Sequence, residues 1–309
     1  MPRLAPSSSS RRRKAGARAV PRAHAASGAT SGVAAALRAL NVRPSRRLGQ
    51  NFLTDPRVAE RITSLVGDPR EPVLEIGPGL GSLTALLVKS GRELVAVELD
   101  LRLAEAVERA LVSFPNARVV RGDILGQRME QLLPGGATVV GNLPYSITTP
   151  ILEWLLAQAP RIHRAILMVQ REYAQRLAAR PGGKDFGSLS VFVGLQAQVT
   201  TLFRVSPGAF FPRPEVDSVV LELKPRPYPG TTADERAAAE RLARAGMGTR
   251  RKTLANSLAR GLGLPASEVR ALLASAEIDP GRRGETLHID EWLALARGWA
   301  AHSSGGGAR

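Results

Sequence analysis

Asn142, Leu143, Pro144 and Tyr145 stand side by side where the apolar run "ATVVG" gives out. Together they suit one kind of chemistry. The Asn142 side-chain oxygen can accept one N–H of a planar amine, and a backbone carbonyl in the Leu143-Pro144 turn can accept the other. Proline stiffens that backbone. The Tyr145 ring offers a face on which a flipped-out base can stack. An exocyclic base amine is a poor nucleophile, because its lone pair is delocalised into the ring. Holding both of its hydrogens lets the nitrogen pyramidalise and attack an alkyl electrophile. Positioning and electrostatics would carry such a displacement, and neither a metal nor a covalent nucleophile is required. Taken alone, the tetrapeptide also reads as a packed turn.

A second stretch, "EIGPGLGSLT", puts Gly77, Gly79 and Gly81 at a strand-to-helix turn. Glycine there lets backbone approach a ligand at positive φ. The spacing is G-x-G-x-G, one residue shorter than the dinucleotide fingerprint. That favours S-adenosylmethionine over a nicotinamide cofactor. Glu98 ends the next strand, 17 residues beyond Gly81, where a carboxylate can take both ribose hydroxyls. Asp123, at the end of the third strand in "RGD", is placed to accept an adenine amine. Each acid alone is also readable as a solvated strand-end residue. "GNLPY" falls at the fourth strand end, so all these groups share the carboxyl edge, where open α/β sheets bind ligands.

The elements that must position them follow from the hydrophobic pattern. "PVLEIGPG", "ELVAVELD", "ARVVRGDIL", "ATVVGNLPY" and "RAILMVQ" read as short strands, with helical segments after the first, second, fourth and fifth. This alternation predicts a parallel, doubly wound α/β sheet. A helix is expected from about Pro56 to Val66, capped by Thr54 or Asp55. "LSVFVGLQAQVTTLFRV" and "VDSVVLELKP" read as two long extended runs, an antiparallel pair closing the sheet edge. "KPRPYPGTT" marks a boundary, after which only helical patterns occur, at about 233–246, 250–261, 267–275 and 290–301. The expected organisation is a basic disordered tail over 1–41, a catalytic domain over 42–227, a helical RNA-binding domain over 231–301 and a flexible end over 302–309. In "GTRRKTLANSL", Arg250, Arg251 and Lys252 suit phosphate contact, with Leu254 and Leu258 facing the core. Arg171, Arg176 and Lys184, in "QREYAQRLAARPGGKDFGS", are candidates for gating an RNA entrance.

The formal charge of +16 is unevenly spread. Residues 1–50 hold 11 Lys and Arg and no Asp or Glu, whereas the rest of the chain carries a net of only +5. The tail reads as an electrostatic arm for RNA, an organelle transit peptide or a plain solvated extension. With no cysteine, disulfides and thiolate zinc sites are excluded. No apolar run approaches the roughly 20 residues that span a bilayer.

Seven stretches in order carry a resemblance: "LGQNFLTD" (48–55), "VLEIGPGLGSLT" (73–84), "VELD" (97–100), "GDIL" (122–125), "GNLPYSITTPIL" (141–152), "FFPRPEVDS" (210–218) and "RRKTLANSL" (250–258). The chain resembles the KsgA/Dim family of small-subunit ribosomal RNA adenine dimethyltransferases from about Arg43 to Leu295. The resemblance implies a Rossmann-like class I methyltransferase sheet and S-adenosylmethionine as donor, with no metal. It implies transfer of two methyl groups to N6 of each of two adjacent adenosines near the 3′ end of 16S-type RNA. The family's cofactor positions fall on Asn51, Leu53, Gly77, Glu98, Asp123 and Asn142, and its second stacking aromatic on Phe211, with Phe210 as the alternative. A cytoplasmic monomer acting on immature small subunits is expected. Three other readings stay open: a large-subunit methyltransferase of the antibiotic-resistance type, an organellar transcription-factor relative, and, less favoured by the glycine spacing, a nicotinamide dehydrogenase.

Overall fold

Strand and helix alternate as the hydrophobic pattern requires, and the physical reasons are local. The computed structural model describes residues 24–45, 49–249 and 251–305. Its first elements are α1 (His24–Ala39), β1 (Phe52–Leu53) and α2 (Pro56–Ser64). The alternating region follows, with β2 (Val73–Ile76), α3 (Thr84–Leu87), β3 (Leu94–Glu98), α4 (Leu101–Leu111), β4 (Ala117–Arg121), α5 (Met129–Leu132), β5 (Ala137–Asn142), α6 (Thr148–Ala157), β6 (Ile162–Gln170) and α7 (Arg171–Leu177). Asp55 rather than Thr54 caps α2, accepting from the Arg57 amide. Asp100 caps α4, whose Leu103, Ala104, Val107 and Leu111 form one buried stripe. β2 and β3 are buried along their whole length, as parallel strands covered on both faces must be.

The remaining elements are α8 (Ser188–Gln196), β7 (Ala197–Val205), β8 (Phe210–Phe211), β9 (Ser218–Pro225), α9 (Ala233–Met247), α10 (Leu254–Leu262), α11 (Ala266–Ser275) and α12 (Ile289–Gly305). The main sheet runs β4-β3-β2-β5-β6-β9-β7, parallel from β4 to β6, with β9 antiparallel to both of its neighbours. The order reverses between β2 and β5, which places the ligand crevice at their carboxyl ends. A separate two-stranded ladder pairs Phe52 with Phe211 and Leu53 with Phe210.

The structure corrects four sequence expectations. The first extended run is half helix: α8 occupies 188–196 and only 197–205 is strand. Leu189, Phe192 and Val193 pack into the core beneath the sheet, while Val191 and Leu195 pack among the C-terminal helices. A helix that is apolar all round carries no amphipathic period to read. Second, order does not begin at Val42, because α1 precedes it and Leu37 and Val42 are buried. Third, Arg251 and Lys252 lie exposed in the turn before α10, whose cap is Thr253. Fourth, α12 continues through Gly305, past the expected end at 301. Residues 1–23, Arg250 and residues 306–309, on which parts of these expectations rest, lie outside the described residues. Among the described residues, no helix is long and apolar enough to cross a membrane.

Candidate active site

The carboxyl ends of β2, β3 and β5 open into one shared cleft. Its glycine turn begins at the end of β2. Gly77, Gly79 and Gly81 all have positive φ. At Gly79 the reason is also steric: a Cβ would stand 3.2 Å from the Phe52 ring, which packs directly over the turn. Glu98 is held by two backbone amides, Gly79 N–H to Oε2 and Asp100 N–H to Oε1, both at 3.0 Å. Burial nevertheless pushes its pKa up. Each oxygen keeps a lone pair, so the carboxylate can still accept two ribose hydroxyls. Asp123 caps the turn that follows it, with Oδ1 accepting from the Leu125 amide at 2.9 Å, which leaves Oδ2 to a ligand. Asn51 and Leu53 close the cleft from the β1 side, where the Leu53 carbonyl accepts from the Ser82 hydroxyl at 2.9 Å. This donor set fits the adenosine half of S-adenosylmethionine, with paired acceptors for the ribose, an acid for the base and a backbone cradle without Cβ atoms.

The tetrapeptide forms the opposite wall. Asn142 Nδ2 donates to the Asn51 carbonyl at 2.7 Å. A backbone carbonyl can only accept, so the amide orientation is forced and Oδ1 is the atom left for a substrate. The Leu143 amide donates to the Met168 carbonyl at 3.0 Å, pinning the turn to β6. The Pro144 carbonyl is occupied, accepting from Thr148 Oγ1 at 3.0 Å and from the Ile147 amide at 3.2 Å. That singles out the Leu143 carbonyl as the second acceptor for an amine. Tyr145 lines the cleft half-buried, and its hydroxyl pairs with Ser218 Oγ at 2.7 Å. Burial raises the tyrosine pKa, so it stays a neutral phenol.

Ten sequence-derived candidates, Asn51, Leu53, Gly77, Gly79, Glu98, Asp123, Asn142, Leu143, Pro144 and Tyr145, line this cleft. Phe211 stands beside it, half-buried and in register with Phe52. Phe210 is 2% exposed and packed into the core beneath α2 and α3, so of the two rings only Phe211 has a face left to present. Arg251 and Lys252 lie elsewhere, at the start of α10. Arg171 pairs with Asp217, the residue before the Ser218 that anchors Tyr145.

Three contributors escaped sequence reasoning. Glu75 lines the cleft floor at 1% exposure and accepts from Thr84 Oγ1 at 2.7 Å, and desolvation raises its pKa to about 7. The signal was available: it is the lone acid in the apolar strand "VLEI". Ser218 ends the "FFPRPEVDS" stretch, but nothing local marked its role, because its partner is 73 residues away. Gly49 has φ +63, and a Cβ there would meet the Tyr145 amide nitrogen at 2.8 Å, so the "GQNF" loop and the tetrapeptide lie backbone against backbone.

The family model described as ribosomal RNA adenine dimethylase matches residues 41–299. The chain belongs to that family. A relative named ribosomal RNA small subunit methyltransferase A, from Desulfitobacterium hafniense, is 44% identical over 252 residues, covering 81% of this chain and 90% of its own. One of the same name from Geobacter metallireducens is 43% identical over 271 residues, covering 86% and 98%. Among solved structures, a 23S rRNA methyltransferase, ErmE, is 30% identical with a TM-score of 0.60, covering 80% of this chain and 99% of its own. A dimethyladenosine transferase from Plasmodium falciparum shares the fold with a TM-score of 0.69 at 23% identity, over 82% of this chain and 98% of its own. The fold is therefore the class I methyltransferase fold, and the protein is an rRNA adenine methyltransferase that uses S-adenosylmethionine.

Proposed function

We propose that this protein dimethylates N6 of two adjacent adenosines near the 3′ end of small-subunit rRNA, acting as a monomer on the immature subunit in the cytoplasm. The observation that carries this reading is the forced orientation of Asn142. Its Nδ2 is committed to the Asn51 carbonyl, so Oδ1 and the Leu143 carbonyl form a pair of neutral acceptors for one amine. When bound, S-adenosylmethionine supplies an electrophilic methyl group. Asn142 and Leu143 hold the amine hydrogens and turn the nitrogen lone pair toward the cleft. Glu98, Asp123 and the glycine turn would hold that donor so that its methyl could pass to the nitrogen, the sulfur leaving as a neutral thioether and the amine proton going to solvent. Neutral acceptors suit a second round, because the monomethyl amine has only one hydrogen to offer.

Tyr145 supplies one stacking face, fixed through Ser218, and Phe211 supplies the other. Arg251 and Lys252, together with Arg250 outside the described residues, take the role of phosphate contacts that position the particle without reading its sequence. The relatives at 43–44% identity carry the small-subunit name, which favours that substrate over the large subunit.

Mass spectrometry of both rRNAs tests the proposal, in cells lacking the protein and in cells complemented with wild type or Asn142→Ala. Wild type is expected to restore two adjacent dimethyladenosines in the small-subunit RNA, and Asn142→Ala to restore neither. Methylation of large-subunit RNA instead, or full restoration by Asn142→Ala, would overturn it.

A further inference from the structure

The element nearest the site that no motif announced is α1. We propose that it is a positioning element for the reaction, bracing β8 so that Phe211 is held at the edge of the cleft. This rests on the stacking role given to Phe211 above. The ladder that carries Phe211 is only two residue pairs long, with no further strand beside it among the described residues. A two-stranded ribbon of that size does not hold its own shape in water, so its position must come from what packs on its faces. On one face Phe210 is sunk in the core beneath α2 and α3. On the other, Leu37 and Val42 join Phe52 and Leu103 in one buried cluster, and Val33, Leu40, Leu80 and Phe211 pack against it. Val33 and Leu37 sit one turn apart on α1, which lies against β8, and Leu40 follows just past its last residue.

The same cluster reaches the cofactor cleft, because Phe52, Leu80 and Leu103 also line it. The end of α1 is fastened independently. Asn41 takes a left-handed turn at φ 51, and the Val42 amide donates to the Leu37 carbonyl at 2.8 Å. Arg102 donates to the Asn41 carbonyl from the first turn of α4, two residues beyond the Asp100 whose amide holds Glu98. The helix is thus tied both to the wall of the methyl-donor cleft and to the ring that faces the base.

A double-mutant cycle on the full chain tests this, with methylation of immature small subunits, S-adenosylmethionine affinity by calorimetry and melting temperature as readouts. Leu37→Ala is expected to lower kcat/KM for the subunit about tenfold, mainly through KM. Its affinity for S-adenosylmethionine should change by less than about threefold, and Leu37→Met should restore turnover to within about twofold. In a Phe211→Ala background, Leu37→Ala should cost less than about twofold more, because the ring it braces is already gone. Assays run well below each variant's melting temperature keep the folded fraction constant. Equal losses from Leu37→Ala in both backgrounds, or none in either, would overturn the brace. A harmless Phe211→Ala would instead overturn the stacking role itself.

Discussion

Removing the Tyr145 hydroxyl tests how the two halves of the site are joined. Tyr145 belongs to the tetrapeptide and Ser218 to β9, and their hydroxyls meet at 2.7 Å. Ser218 is 0% exposed, so Tyr145→Phe leaves a buried hydroxyl with neither the tyrosine nor water beside it. Such an unsatisfied group costs about 1–3 kcal/mol. Ser218→Ala leaves the phenol of a ring that is less deeply buried than Ser218, and the net loss should be nearer about 1 kcal/mol. Removing both hydroxyls leaves nothing unsatisfied, so the double variant should be no less stable than Tyr145→Phe alone, a coupling of about 1–2 kcal/mol. Urea unfolding of the four proteins measures it. Either single variant should also lower kcat/KM for the subunit about three- to tenfold, because an untethered ring samples orientations unsuited to stacking. Affinity for S-adenosylmethionine should be unchanged. Single-variant stability costs that add to within about 0.3 kcal/mol would refute the tether.

Two further predictions follow from buried geometry. Glu75 has a pKa raised to about 7 by burial, so the folded state binds its proton more tightly than the unfolded chain does. Stability should therefore be greatest below about pH 4.5 as far as this group is concerned, fall as pH rises toward 7 and level off above, by about 3 kcal/mol in all. Glu75→Gln should flatten that slope in melting temperature measured across pH 5–8, and an unchanged slope would show that Glu75 is ionised at ordinary cost. Gly49→Ala combines positive φ with a Cβ at 2.8 Å from the Tyr145 amide, so the tetrapeptide must shift. A loss of at least about 30-fold in methylation is expected, and near-normal turnover would mean that the two loops are not in register during catalysis.

Much of this protein is legible from its residues. The strand-helix alternation gave the sheet, and the glycine spacing with Glu98 and Asp123 gave the class of cofactor, because those features depend on local backbone preferences and fixed offsets. The tetrapeptide pointed to amine chemistry because its groups are adjacent in the chain. What failed was every feature whose energy comes from distant partners. α8 showed no helical period, since two cores bury it from both sides. α1 read as part of an Arg-rich tail because its stability comes from packing on Phe52 and Leu103. Only the tertiary structure separates Phe211 from Phe210, by sinking one ring in the core and leaving the other a face for the proposed stacking. It alone left Asn142 Oδ1 free for the proposed substrate, by committing Nδ2 to a carbonyl 91 residues away in sequence. Residue types determined which chemistry was available. Long-range hydrogen bonds and packing decided which atom performs it, because the free face of an amide or a ring is whatever its neighbours leave uncovered.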